Sequence, residues 1–185
     1  MAAYPLIDKW LAGVDPAGPG GGFDKDIVPY LIAIWLDDYA QDFDASNIVE
    51  TSSSEFSYLF DITAERLLAA WGVSRGRHGG ARDASRMRGH PLSAGAHYHR
   101  GHAIPHTLGG PTDINLVPQA AKVNVGAFRP LERRAVASPG SFYFSYWSYR
   151  GAAPARAGGP GQTPTGVDQG LLIPGQKADI RRHGN

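Results

Sequence analysis

The sequence predicts an α+β protein, in which an N-terminal helical segment precedes a small antiparallel sheet. Three observations support this class. Apolar residues in IVPYLIAIWLDDYAQDF recur close to a helical period, HYHRGHAI and INLVPQ have the pattern of short strands, and SFYFSYWSYR alternates aromatic with small residues. Helical and strand patterns therefore occupy different parts of the chain.

The N-terminal part is expected to contain two helices after an irregular start. Residues 1–26 are predicted to be mostly loop because they include the Pro/Gly-rich run DPAGPGGGFD. The first helix begins near residue 27, where Pro29 fits a first turn because its missing N–H costs little there. FDITAERLLAAWG predicts the second helix, with Asp61 or Thr63 as its cap and a glycine at its end.

A basic, glycine-rich and aperiodic segment, residues 73–96, predicts a loop or linker. We place a domain boundary there, between an acidic helical segment, residues 1–75, and a second domain, residues 76–185. The two short strands follow, and residues 121–138 have helical character. GLLIPG predicts a last strand before the basic tail KADIRRHGN.

The aromatic segment SFYFSYWSYR predicts a half-buried strand. Its first face, with Phe142, Phe144 and Tyr146, is expected to join the core. The opposite face carries Tyr143, Trp147 and Tyr149. These three side chains either pack in the protein or stack on nucleic-acid bases.

Composition limits the class of protein. A length of 185 residues fits one domain of ordinary size. The absence of cysteine excludes disulfides and thiolate metal sites. No apolar run reaches the roughly 18 residues of a membrane span, and MAAYPLIDKW lacks the pattern of a secretory signal. The expected location is the cytoplasm, or a destination reached by a signal-independent route.

Charge is divided unevenly along the chain. Residues 1–70 hold 12 Asp/Glu against 3 Lys/Arg, and residues 71–185 hold 5 against 15. Arginine matches the geometry of phosphate oxygens, so nucleic acid is the first partner to consider. The alternative is an arginine-rich surface that reflects composition alone. The acidic part either caps the sheet or docks on the basic part as an inhibitor.

Four histidines occur within ten residues: His97, His99, His102 and His106. A zinc site is one interpretation, but Pro105 argues against a helix that would align the last two, and no HExxH motif is present. The other interpretation is a single general base. Neutral imidazole takes a proton from water near pH 7, and Mg²⁺ needs only one or two protein oxygens.

Three ordered motifs resemble a known family. Arg-Gly-His at 100–102, Asn-Leu-Val-Pro-Gln at 115–119, and Asn-Val-Gly-Ala-Phe with Leu-Glu at 124–132 resemble the DNA/RNA non-specific endonuclease family of the His-Me finger (ββα-metal) nucleases. The resemblance is close over about 33 residues and does not reach residues 1–75. It implies a ββα-metal core with a small antiparallel sheet.

The resemblance implies a role for each matching residue. His102 matches the general base, and Asn124 matches the Mg²⁺ ligand, with Mn²⁺ as a substitute metal. Glu132 matches a carboxylate near the metal, Arg100 an arginine near the scissile phosphate, and Asn115 a residue that orients the base. Each also has a structural alternative, such as a helix cap for Asn124 or an ion pair for Glu132.

Two positions depart from the family pattern. His99 stands where the family has Asp, and Pro130 lies between the expected metal ligand and Glu132. A helix that starts near residue 129, with Pro130 in its first turn, would accommodate this proline, and a kinked helix is the alternative.

The leading functional hypothesis is a Mg²⁺-dependent endonuclease of DNA, RNA or both, which leaves 5′-phosphate ends. A bacterial toxin is the biological setting that the resemblance implies, with an inhibitor (immunity) protein as a further partner. Two alternatives stay open at this point. One is a nucleic-acid-binding module that has lost catalysis, and the other is a zinc-stabilised interaction domain.

Overall fold

The computed structural model describes residues 2–14, 22–80, 85–89, 91, 94–154 and 161–185. These residues form an α+β structure whose α-helices are α1 (Ile7–Gly13), α2 (Val28–Ala40) and α3 (Arg129–Ala137). The strands are β1 (Ile48–Ser53), β2 (Phe56–Asp61), β3 (Arg66–Val73), β4 (Tyr98–His102), β5 (Leu116–Ala120), β6 (Phe142–Ser148), β7 (Gly166–Leu172) and β8 (Asp179–Gly184). No helix in the described ranges is long and apolar enough to span a membrane.

The first predicted helix is confirmed as α2, with Pro29 in its first turn. The prediction that residues 1–26 are mostly loop is wrong in part. Helix α1 and a π-helical turn, Phe23–Ile27, lie there because Ile7, Leu11 and Phe23 bury their side chains in the core. Most of the Pro/Gly-rich run lies outside the described residues.

The second predicted helix, over FDITAERLLAAWG, is wrong: this segment contains the end of β2, a turn and β3. Its apolar run is buried on both faces of a strand, and such a run has no periodicity that separates strand from helix. Asp61, a predicted helix cap, instead accepts hydrogen bonds from the backbone N–H of Thr63 at 2.9 Å and of Ala64 at 2.8 Å. It therefore stabilises the turn between the two strands.

Six strands form one antiparallel sheet in the order β1-β2-β3-β6-β7-β8, and β4 and β5 form a separate antiparallel pair. Strand β3 pairs with β6, so residues 74–141 are an insertion between two strands that are adjacent in the sheet. Ser74 closes it: its N–H donates to the Ser141 carbonyl at 2.8 Å, and its carbonyl accepts from the Gly140 N–H at 2.8 Å. The boundary placed at residue 75 stays a prediction, and the sheet takes strands from both sides of it.

The two faces of the sheet are covered by different elements. On one face, Trp35 of α2 stacks on Tyr146 with ring centroids 5.9 Å apart and also contacts Phe144. On the other face, Phe128 stacks on Trp147 at 5.8 Å, and the Ser145 hydroxyl donates to the Ala103 carbonyl. The acidic helix α2 thus covers one face of the sheet, and the insertion that contains β4, β5 and α3 covers the opposite face.

Two predictions for the C-terminal part need correction. Strand β6 is buried along its whole length, because elements cover both faces, so it is not half-buried. Tyr143, Trp147 and Tyr149 are each at most 1% exposed, which excludes them as a base-stacking surface. GLLIPG contributes to β7 as predicted, but β7 is not the last strand, because the basic tail forms another. The tail forms the edge strand β8, since its backbone pairs with β7 from Gly166 to Leu171.

Candidate active site

The motif histidine lies at the end of a two-stranded antiparallel pair, as the strand predictions required. Strand β4 pairs with β5 so that His102 faces Leu116 and Gly101 faces Val117. A side chain at Gly101 would collide with Gln119, whose Oε1 lies 2.1 Å from where a Cβ would be. The glycine of Arg-Gly-His is therefore required for close packing between the two strands.

Asn115 fixes the chain that leaves β4. The Ile104 N–H donates to Asn115 Oδ1 at 2.6 Å, and Asn115 Nδ2 donates to the carbonyls of Ile104 at 2.8 Å and Pro111 at 3.1 Å. Asn115 is fully buried. Its side chain thus holds the backbone two residues after His102, where the resemblance implied an orienting role.

A pocket of about 290 Å³ opens beside this chain, and we call it the His102 pocket. It brings together three of the residues identified in the sequence, His102, Asn124 and Glu132. His102 is 7% exposed, so its ring lies mostly within the protein. Other residues of the lining were not assigned a role from sequence: His99, Pro105, His106, Thr107, Val125 and Arg129.

Asn124 and His99 contact each other in this pocket. Asn124 Nδ2 lies 3.0 Å from His99 Nδ1. An amide nitrogen only donates, so His99 Nδ1 accepts. This bond directs the amide nitrogen toward His99 and leaves Oδ1, a hard oxygen donor, as the other end of the amide.

Asn124 lies in a π-helical turn, Val123–Ala127, that leads into α3. Single-turn π-helices are frequent at functional sites. Pro130 occupies the first turn of α3, which confirms the first of the two arrangements predicted for it. Glu132 follows in the same turn, and its N–H donates to the Phe128 carbonyl at 3.2 Å.

The Glu132 carboxylate lies close enough to the sheet to influence Tyr143. The pKa of Tyr143 is raised well above its usual value, first by burial and then by the negative charge of Glu132. The Tyr143 hydroxyl accepts a hydrogen bond from Gln169 Nε2 at 2.9 Å. Glu132 therefore both lines the pocket and lies near Tyr143 of β6.

Arg100 does not line the His102 pocket. Its guanidinium donates to the Arg86 carbonyl at 3.0 Å, so its assignment to the scissile phosphate stays a prediction. The arginine that does line the pocket is Arg129, at the start of α3. The sequence motifs did not identify Arg129 as a residue of the site.

The four histidines between residues 97 and 106 do not all lie in the same place. His102, His106 and His99 line the pocket, whereas His97 is exposed immediately before β4. The rings of His102 and His106 meet edge to face, with centroids 5.9 Å apart. Among the residues that the structure describes, no group of three or more His, Asp or Glu side chains is arranged to hold a metal ion.

The fold and this pocket define a class of protein: an α+β structure in which a strand pair and a following helix bring together a histidine, an amide and a carboxylate. Residues 66–140 match the family model of the DNA/RNA non-specific endonucleases. This match supports a domain of that family in this part of the chain, and with it nuclease activity on nucleic acid. A comparison with curated proteins finds no match.

Proposed function

We propose that this protein is a metal-dependent endonuclease that hydrolyses phosphodiester bonds of DNA, RNA or both with little sequence specificity. In this proposal β4, β5 and α3 form a ββα-metal core. The observation that carries it is the convergence of His102, Asn124 and Glu132 on one pocket. These residues are up to 30 positions apart in the chain and belong to two separate motifs, 100–102 and 124–132.

His102 is proposed as the general base. A neutral imidazole can remove a proton from water as the water attacks phosphorus. The partial burial of the ring and its edge-to-face contact with His106 restrict its orientation. Asn115 is proposed to act through the backbone, because it holds Ile104 and so fixes the end of β4.

The residues of the pocket fit a hard divalent cation. Asn124 and Glu132 supply an amide oxygen and a carboxylate, and Mg²⁺ commonly takes one or two protein oxygens together with water. When bound, Mg²⁺, or Mn²⁺ in its place, would stabilise negative charge on the phosphate and on the leaving oxygen. His99 would hold the Asn124 amide in the orientation that presents its oxygen.

Positive charge at the pocket is proposed to come from Arg129, with Arg100 as the residue implied by the family resemblance. Contacts with the phosphate backbone carry no sequence information, so little base preference is expected. The excess of arginine after residue 70 supports a polyanionic substrate.

A plasmid-nicking assay tests the proposal. Wild type is expected to convert supercoiled DNA to open circles with Mg²⁺ and to stop in EDTA, and His102→Ala is expected to be inactive. His97→Ala is the matched control, because His97 is exposed and does not line the pocket. Metal-replete wild type that binds DNA without cutting DNA or RNA would instead indicate a binding module.

The toxin setting and an inhibitor protein are further proposals that rest on the family resemblance. Induced expression in a bacterial host would test the first of them. Growth arrest with wild type and normal growth with His102→Ala would support a toxin that acts through nuclease activity. Normal growth with an active wild-type enzyme would contradict it.

A further inference from the structure

A second pocket of about 490 Å³ adjoins the His102 pocket, and we call it the Arg77 pocket. The two share His106, which lines both. The rings of His78, His106 and His102 form an edge-to-face row, with centroids 6.2 Å and 5.9 Å apart. The Arg77 pocket is therefore the immediate neighbour of the proposed cleavage site.

The charge of the Arg77 pocket favours an anion. Its two carboxylates are each paired with an arginine: Glu55 lies 2.7 Å from Arg75, and Asp113 is bonded to Arg86. Arg77 and His78 are exposed and face no unpaired carboxylate in the lining. An arginine and an imidazole N–H are both suited to phosphate oxygens.

The backbone of His78 is anchored to the segment that carries His106. Its backbone N–H donates to the Thr107 carbonyl at 2.8 Å. Gly109 has a φ of +102°, and a Cβ there would lie 3.5 Å from the ring. The imidazole of His78 therefore lies beside Gly109 in the Arg77 pocket.

Part of the remaining wall is apolar and consists of Phe56, Val73 and Leu108. The volume lies within the range of about 300–1,000 Å³ that is common for small-molecule sites. A pocket with a cationic rim and an apolar wall suits one nucleotide, whose phosphate is charged and whose base is flat and apolar on its faces.

We propose that the Arg77 pocket binds the nucleotide next to the scissile phosphate, with its phosphate on Arg77 and His78. The inference rests on the proposed nuclease function and adds to it a path for the bound strand. A single strand would run from the His102 pocket past His106 into the Arg77 pocket. The ligand class is an unpaired nucleotide of DNA or RNA.

Binding of a fluorescein-labelled octathymidylate, measured by anisotropy in EDTA over a NaCl series, tests the subsite without cleavage. Arg77→Ala is expected to weaken binding about tenfold, as for the loss of a hydrogen bond to a charged group. The slope of log Kd against log salt should fall by about 0.7, the value for one phosphate contact on a single strand. Arg133→Ala is the charge-matched control, because Arg133 is exposed on α3 and lines neither pocket.

Cleavage of two substrates separates this inference from the proposed function. Bis(p-nitrophenyl) phosphate has no second phosphate to contact Arg77, so Arg77→Ala should lower kcat/KM much less for this substrate than for the oligonucleotide. Wild type that binds the oligonucleotide through Arg77 but cuts neither substrate would contradict the nuclease function and keep the subsite. Equal effects of Arg77→Ala and Arg133→Ala on binding, or an equal loss on both substrates, would overturn the subsite.

Discussion

Asn124 donates its side-chain amide to Nδ1 of His99 across 3.0 Å, and both residues line the pocket that contains His102. In sequence, His99 is a departure from the family pattern, since an Asp is expected there. In the structure it is a hydrogen-bond acceptor for the proposed metal ligand. His99 therefore supplies a hydrogen-bond acceptor where the family pattern has an Asp, although the accepting group is an imidazole and not a carboxylate.

This contact predicts the effect of changing His99. His99→Ala removes the acceptor and lets the Asn124 amide rotate, so the Mg²⁺ concentration for half-maximal nicking should rise by about 10–100-fold, as is typical when a partner of a metal ligand is lost. His99→Asp keeps an acceptor oxygen and should stay near wild type. Nicking rates over a Mg²⁺ series measure both. An unchanged Mg²⁺ requirement in His99→Ala would show that the contact does not position Asn124.

Asn115 is predicted to matter for stability and activity together. Asn115→Ala removes three hydrogen bonds and leaves Ile104 and Pro111 groups unpaired around a buried site. We expect a loss of about 2–3 kcal/mol in the free energy of unfolding. Urea denaturation measures it, and nicking below the transition should also be slower. Full stability with lost activity would mean that Asn115 acts on the reaction and not on the backbone.

Gly110 supports the same segment by allowing close approach. A Cβ there would lie 1.9 Å from the Ile104 carbonyl oxygen. Gly110→Ala is therefore expected to lower the free energy of unfolding by about 1–3 kcal/mol, the usual cost of overpacking. Gly13→Ala is the control, because no atom lies within 4 Å of its added Cβ. Equal unfolding midpoints for the two variants would contradict the close contact at Gly110.

The two candidate arginines are predicted to differ. Arg129 lines the His102 pocket, whereas Arg100 donates to the Arg86 carbonyl outside it. Arg129→Ala should lower kcat/KM on DNA by about tenfold, as for a hydrogen bond to a charged group. Arg100→Ala should have a smaller effect. A larger loss with Arg100→Ala would support the role implied by the family resemblance and would require Arg100 to turn toward the substrate.

His183 makes stability depend on pH. Burial and then the charge of Arg181 lower the pKa of His183, whose ring packs on Phe128. The unfolded chain, with a histidine pKa of about 6.5, therefore binds the proton first as pH falls. The contribution of His183 to stability is fully present above the pKa of the unfolded chain. It is lost as pH decreases through the lower pKa that His183 has in the folded protein. Thermal unfolding at pH 7.5 and 5.5 should show a smaller decrease for His183→Gln than for wild type, and equal decreases would contradict this.

Local signals were enough to predict the elements around the site. The strands β4 and β5 and the helix α3 follow short motifs with clear ends, and Pro130 marks the first turn of α3. The error over residues 60–72 has a physical cause. The run Leu-Leu-Ala-Ala-Trp becomes a strand only because α2 and neighbouring strands bury it, and this tertiary context has no local signature.

Only the residues of the candidate site that lie within sequence motifs could be predicted. His102, Asn124 and Glu132 could be named from their motifs, and the structure brings them to one pocket. The contact between His99 and Asn124 joins residues 25 positions apart, and His106 and Arg129 are placed by the path of the chain after β4 and before α3. Such contacts depend on the folded geometry, so spacing along the sequence does not reveal them.

A Mg²⁺ titration of plasmid nicking with wild type, His102→Ala and Asn124→Ala tests the central claim most directly. The claim is that His102 activates water while Asn124 holds the metal in the same pocket. It predicts that His102→Ala lowers the maximal rate by about 10²–10⁴-fold, the usual contribution of a general base, at an unchanged Mg²⁺ midpoint. Asn124→Ala should move that midpoint to higher Mg²⁺. A His102→Ala protein as fast as wild type, or full nicking in EDTA, would contradict the account.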